Sequence, residues 1–271
     1  MSPYNSVGSD MMEGDILIER TGAVASVVLN RPRNHNALTP EMIVELRQIF
    51  ERLGSDDDVR VIVLRGRGRS FCAGADLGSM RAAAAFAFEE NVADGQTIFD
   101  LMAAVDGCPR PVVAAVQGAA IGGGAGLVSC CDIAVAVSDT IFAFSEVRLG
   151  LAPAVISPFV VAKIGAGAAR ELFLTGERFN AERAQRDGLI QHVVQDEPAL
   201  EATVDDRVAQ LLQGAPGAQA AVKGLIRELG LRPRESLREY TSELIARRRA
   251  GEEGCEGMNA FLEKRKPWWQ N

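Results

Sequence analysis

Apolar positions along the chain follow two periods, one of strands and one of helices. Ile16-Leu17-Ile18 and Ala25-Ser26-Val27-Val28-Leu29, parted by Thr21-Gly22, read as a β-hairpin. Met42, Leu46, Ile49, Phe50 and Leu53 then recur at helical spacing. Thr39 is the natural N-cap of that helix, Pro40 its first residue and Gly54 its end. The runs at Val59–Leu64 and Val112–Val116 are short, apolar and rich in β-branched residues, as buried strands are. Between them, Ser79–Val105 is helix-like but alanine-rich, with Gly95 inside and no clear register. Ile133–Val137 and Thr140–Phe144 read as strands, with helices following at roughly 158–163 and 167–174. Asn180 caps a short helix ending at Gly188, and Leu189–Val194 reads as a last strand.

After Glu197 the pattern turns wholly helical, at roughly 197–212, 216–229, 234–250 and 254–265. Interleaved strands and helices followed by helices alone predict an α/β core over 14–196 and a C-terminal helical part over 197–271. Residues 1–13 read as a flexible polar tail.

Two glycine-rich turns follow the two central strands. The first is Arg65–Leu77, RGRGRSFCAGADL, and the second is Gly122-Gly123-Gly124, which opens a helix-like run from Ala125 to Cys131. A strand, then glycines, then a helix start brings free backbone N–H groups and the positive end of a helix dipole to one point. Such a point attracts a phosphate, a carboxylate or a developing oxyanion. Two such turns aimed at one carbonyl oxygen have the geometry of an oxyanion hole.

Composition narrows the class. Hydrophobic residues at 47% and charged residues at 24% are ordinary for a globular chain, and a net charge of −7 speaks against a nucleic-acid surface. The five cysteines include an adjacent pair and no CxxC spacing, so buried thiols in a reducing, cytoplasmic setting are expected rather than disulfides or zinc. No secretory signal and no membrane-length apolar run is legible. With only His35 and His192 present, a histidine triad or multi-histidine metal site lacks material. The glycines do not spell GxGxxG, because Leu127 stands where the third belongs. Asp76 reads as a cap on the helix after the first turn, and Glu146, taken from its position alone, reads as a surface carboxylate.

Four stretches together resemble the crotonase superfamily, the enoyl-CoA hydratase/isomerase family. They are LNRPRNHNAL at 29–38, SFCAGADL at 70–77, VQGAAIGGGAGLVSCCDIAVA at 116–136 and EGMNAFLEKRKP at 256–267. The resemblance implies a ClpP/crotonase-like spiral of ββα units with a C-terminal helical trimerisation module, assembled as a trimer or a dimer of trimers. It implies an oxyanion hole at the N–H groups of Ala75 and Gly123, and a catalytic carboxylate at Glu146. Further contacts to an acyl-CoA substrate fall on Arg33, Ala73, Asp76, Leu77, Phe261 and Lys264, the last two sometimes reaching a neighbouring subunit's ligand. CoA is part of the substrate, and no metal, redox cofactor, nucleic acid or membrane partner is implied.

One departure bears on the reaction. Typical hydratases of the family hold water with two glutamates, and the first belongs where this chain has Gly126. SEVRLGLAPAVISPFV at 145–160 resembles bacterial methylglutaconyl-CoA hydratases of leucine breakdown, so hydration of a branched or carboxylated enoyl-CoA is the favoured expectation. In that reading Arg148 either pairs with the substrate's distal carboxylate or forms a structural ion pair. A Δ3,Δ2-enoyl-CoA isomerase using one glutamate is the alternative, and a non-catalytic acyl-CoA or RNA-binding protein is the alternative of another class.

Overall fold

The computed structural model describes residues 14–270; the tail expected over 1–13 lies outside the described residues. The hairpin forms as β1 (Ile16–Thr21) and β2 (Val24–Leu29), antiparallel to each other. Then come α1 (Pro40–Ser55), β3 (Val61–Gly66), α2 (Leu77–Ala83), α3 (Phe88–Asp106) and β4 (Val112–Val116). Thr39 caps α1 as expected, its Oγ1 accepting the Met42 N–H at 3.3 Å. The second half of the core holds β5 (Ala119–Ile121), α4 (Gly123–Cys130), β6 (Ile133–Val137), β7 (Ile141–Ala143) and α5 (Ser157–Thr175). It closes with β8 (Arg178–Asn180), α6 (Ala181–Arg186) and β9 (His192–Val194). From there the elements are helical: α7 (Glu197–Leu212), α8 (Pro216–Leu231), α9 (Arg234–Ala250) and α10 (Glu252–Glu263), before a final short turn at Trp268–Gln270. No helix among the described residues is long and apolar enough to cross a membrane.

One sheet runs β1-β2-β3-β4-β6-β9, parallel from β2 to β9, and a smaller one runs β5-β7-β8. The large sheet is buried on both faces, which is why its strands read as continuous apolar runs. Ile62 and Leu64 of β3 face a core shared with α1, α3, α4 and α5. Val61 and Val63 face the other way, onto Leu200, Val204 and Val208 of α7.

The structure corrects the sequence reading in places. The strand expected over Leu189–Val194 shrinks to β9, because the Leu189 and Ile190 N–H groups both turn back to the Ala184 carbonyl and close α6. The helix-like stretch 79–105 divides into α2 and α3, where Glu90 accepts the Ala87 N–H at 2.7 Å and restarts the helix. The helices expected on either side of residue 165 form one run, interrupted where Gly165 takes φ 75°. β5 and β8, three residues each, carry no periodic signal of their own.

Phe144 locks the small sheet to α5. It is fully buried and packs against Phe173 at 5.2 Å and Phe179 at 5.9 Å between ring centroids. Phe144→Ala should cost about 3–5 kcal/mol of unfolding free energy, read as a lowered urea midpoint in equilibrium unfolding.

Candidate active site

The two glycine turns meet. In the first, Cys72 pairs with β5, donating its N–H to the Ala119 carbonyl and accepting the Ile121 N–H, both at 3.0 Å. Leu38 then straddles Ala75: its N–H donates to the Gly74 carbonyl at 2.8 Å and its carbonyl accepts the Asp76 N–H at 2.9 Å. Both bonds flank Ala75 and leave its own N–H without an acceptor among the described residues. The second turn enters α4, and the N–H of Gly123, the first residue of that helix, likewise has no acceptor among them. Fixing the N–H of a solvent-accessible turn while withholding its partner is how a chain keeps a donor available for a ligand.

Glycine is required where the turns touch. Gly74 has φ 92°, and a methyl there would stand 2.8 Å from the Ile121 carbonyl oxygen and 3.7 Å from the Gly123 nitrogen. Gly122 has φ 51° and ψ −118°, outside the range of residues with a side chain. At Gly124 a methyl would lie 2.3 Å from the Cys72 carbonyl oxygen. The turns are thus in backbone-to-backbone contact, and Ala75 and Gly123 belong to one small region.

Glu146 comes to the same place. It opens a single 3₁₀ turn, Glu146–Leu149, directly after β7, and Gly150 closes that turn in the left-handed region. The Leu151 N–H donates to the Glu146 carbonyl at 3.1 Å. A methyl at Gly122 would stand 3.1 Å from Glu146 Oε1, so the carboxylate rests against the glycine next to the Gly123 donor. Its other oxygen, Oε2, is buried and has no hydrogen-bond partner among the described residues. Burial pushes the Glu146 carboxyl above its ordinary value. It is no surface carboxylate.

The other expected residues divide. Ala73 is pinned by its N–H to the His35 carbonyl at 2.9 Å. The Asp76 side chain is spent on structure: it caps α2 through the Gly78 and Ser79 N–H groups and pairs with Arg31 at 3.2 Å. Leu77 is 81% exposed beside the turn. Arg33 is exposed and has no ion pair among the described residues, a cation left free. Phe261 and Lys264 lie at the end of α10, Phe261 exposed, and no hydrogen bond or ion pair joins either side chain to the two turns. Arg148 forms no ion pair among the described residues; its Nε donates to the Thr175 carbonyl at 3.4 Å, and its stem packs on Gly176 at the end of α5.

Gly126 is filled rather than empty. A methyl built there would lie 2.6 Å from Ile156 Cγ2 and 3.3 Å from Met102 Cε. The space a longer side chain would need is apolar and occupied. The sequence reading also passed over Asn36, which is fully buried and ties the loop of residues 31–36 to the first turn, donating to the Arg67 and Ser70 carbonyls. The only available signal was its residue type, since asparagine tolerates the left-handed conformation it adopts, φ 55°. The Cys72 thiol, buried in the turn, is pushed up to about 12 and is no nucleophile at neutral pH.

The fold has counterparts of known family. The family model "Enoyl-CoA hydratase/isomerase" matches residues 19–271. The chain is 41% identical to the crystal structure of an enoyl-CoA hydratase from Shewanella pealeana, with TM-score 0.91 and coverage of 96% of this chain and 97% of that one. It is 37% identical to Pseudomonas aeruginosa AtuE, with TM-score 0.92 and coverage of 95% and 100%. The crotonyl-CoA hydratase of Syntrophomonas wolfei is 33% identical over 254 residues, 93% of this chain and 96% of that protein.

The raised Glu146 carboxyl fixes the sign of a stability effect. The unfolded chain ionises near 4.5 and the folded one higher, so stability is lost as pH climbs through that interval. Glu146→Gln should therefore raise the urea midpoint at neutral pH, and the gain should vanish below about pH 4.5, where the wild-type side chain is neutral in both states.

Proposed function

The chain belongs to the enoyl-CoA hydratase/isomerase family, and from that premise we propose that it adds water to a 2-enoyl-CoA thioester, with Glu146 as its one proton carrier. The observation that carries the reading is Glu146 itself: a buried carboxylate oxygen with no partner among the described residues, resting beside two backbone donors that likewise have no acceptor among them. A carboxyl whose proton affinity is raised toward neutrality is suited to taking and returning a proton.

In this reading the thioester oxygen lies between the Ala75 and Gly123 N–H groups. Glu146 takes a proton from water as the water oxygen bonds to C3, and the C2–C3 π pair moves toward the thioester, whose oxygen becomes enolate. The two donors stabilise that charge, an effect worth about 2.7–4 kcal/mol per donor in other enzymes. Glu146 then returns the proton to C2, so hydroxyl and hydrogen of one water end on C3 and C2. One carboxylate closes the cycle.

The favoured substrate is a branched or carboxylated enoyl-CoA, on the likeness of 145–160 to methylglutaconyl-CoA hydratases. Arg148, held at Thr175, is not assigned to the distal carboxylate. A homo-oligomer follows from the same family and is supported by the exposed Ile226, Phe261 and Leu262 on the C-terminal helices. In such an assembly Phe261 and Lys264 would serve a neighbour's CoA.

One observation favours a second reading. With Ile156 and Met102 filling the space at Gly126, no second carboxylate holds water, and Glu146 alone suffices to carry a proton between C2 and C4 of a 3-enoyl-CoA. Side-by-side assays decide. Loss of the conjugated-thioester absorbance from 3-methylglutaconyl-CoA or crotonyl-CoA, reduced about 10²–10⁴-fold in Glu146→Gln, is the expected result. Appearance of that absorbance from a 3-enoyl-CoA alone would make the protein an isomerase. Binding of CoA esters without turnover of any of them would make it a binding protein.

A further inference from the structure

α4 is a short helix, eight residues from Gly123 to Cys130, and so about 12 Å long. Its N-terminus holds one of the two site donors. Its other end carries the opposite partial charge of the dipole, about −0.5 of an elementary charge. At so short a separation the negative end cancels part of the field that the positive end offers an anion. What stands behind α4 therefore bears on the site in front of it.

Two lysines from separate helices converge there. Lys163 of α5 donates from Nζ to the carbonyl of Cys131, the cap residue just beyond α4, at 2.5 Å, and to the Asp132 carbonyl at 3.4 Å. No carboxylate forms an ion pair with it among the described residues. Lys223 of α8 pairs with the Asp132 carboxylate at 2.6 Å, and that carboxylate also accepts the Val112 N–H at 2.7 Å. The Lys223 and Asp132 charges thus offset each other locally. Arg227 and the Asp106 carboxyl face the same cluster. Lys163 is the cation left against the carbonyl end of the helix.

We propose that Lys163 is an electrostatic positioning residue: by neutralising the carbonyl end of α4, it strengthens the attraction of the Gly123 end for an enolate oxygen. The inference rests on the oxyanion reading above. Lys163 touches no substrate, and acts through the helix. Lys163 lies a hydrogen bond beyond one end of a helix about 12 Å long, and the anion a hydrogen bond beyond the other. A unit charge about 17 Å from a partly developed anion, at an effective dielectric of about 20, corresponds to roughly two- to fivefold in rate.

The test separates charge from architecture. Lys163→Gln keeps an N–H donor for the Cys131 carbonyl and removes the charge; Lys163→Arg keeps the charge. Asp132→Asn retains an acceptor for Val112 and removes a negative charge from the same end. The readout is the thioester carbonyl stretch of bound butyryl-CoA, a saturated ester that takes no water, by isotope-edited infrared spectroscopy, alongside kcat on the enoyl substrate.

Binding should lower the stretch in the wild type and in Lys163→Arg, less in Lys163→Gln, and more in Asp132→Asn. kcat should fall roughly two- to fivefold in Lys163→Gln with KM little changed. Loosened packing would move both neutral variants the same way, so a shift of like sign in Lys163→Gln and Asp132→Asn overturns the proposal, as does an unmoved Lys163→Gln. If Lys163→Gln does not fold, Asp132→Asn decides alone, a stretch no lower than wild type being the refutation. A wild-type stretch that binding leaves unmoved would instead overturn the oxyanion reading beneath it.

Discussion

The site depends on two stretches of main chain standing closer than any side chain permits. Gly124 lies where a methyl would be 2.3 Å from the Cys72 carbonyl oxygen, and Gly74 where one would be 2.8 Å from that of Ile121. This contact sets the distance between the two unpartnered N–H groups, because each sits within a residue or two of a touching glycine. The parallel strands β3 and β4 lie side by side, so both turns leave the large sheet at the same end. The bond from Cys72 into β5 and the bonds from Leu38 around Ala75 then leave the first turn little freedom. Donors held in advance need no reorganisation when charge develops in front of them.

Against this rigid frame stands one costly group. Glu146 is desolvated, with an oxygen that finds no partner, and the fold is less stable for carrying it ionised. The surrounding structure holds it nonetheless: Phe144 anchors the strand before it, and Gly150 and Leu151 close the turn after it. Arg148, which its position suggested as a partner for some carboxylate, contributes by fastening this turn to the end of α5. The apolar seal of Ile156 and Met102 over Gly126 keeps a second charge out of the neighbourhood.

Much of this was legible beforehand, for physical reasons. A sheet buried on both faces writes its strands as apolar runs, so β2, β3, β4 and β6 stood out. Helix caps are chemical, so Thr39 and Asn180 marked their helices, and Asp76 was rightly read as a cap. β5 and β8 were invisible because three-residue strands exist only through their partners. The burial of Glu146 was invisible for a related reason: its neighbours are Gly122 and the turn beyond, more than twenty positions away in sequence. The sequence displayed Gly126 as a missing side chain, and only packing revealed what occupies its space. Lys163 reads as an ordinary polar position on α5 until the fold sets it behind α4.

On the function proposed, the anion-binding groups are amide hydrogens and the proton carrier is a side chain, which divides the chemistry by how it is inherited. A codon change reaches Glu146 at once. It reaches the donors of Ala75 and Gly123 only by rerouting the chain, since every residue but proline supplies the same N–H. In that reading, stabilisation of an enolate is a property of the scaffold, retained through wide drift in side chains, whereas the choice of which carbon gains or loses a proton rests on a few replaceable positions around Glu146. Descendants of such a scaffold are free to change reactions without having to reinvent the intermediate.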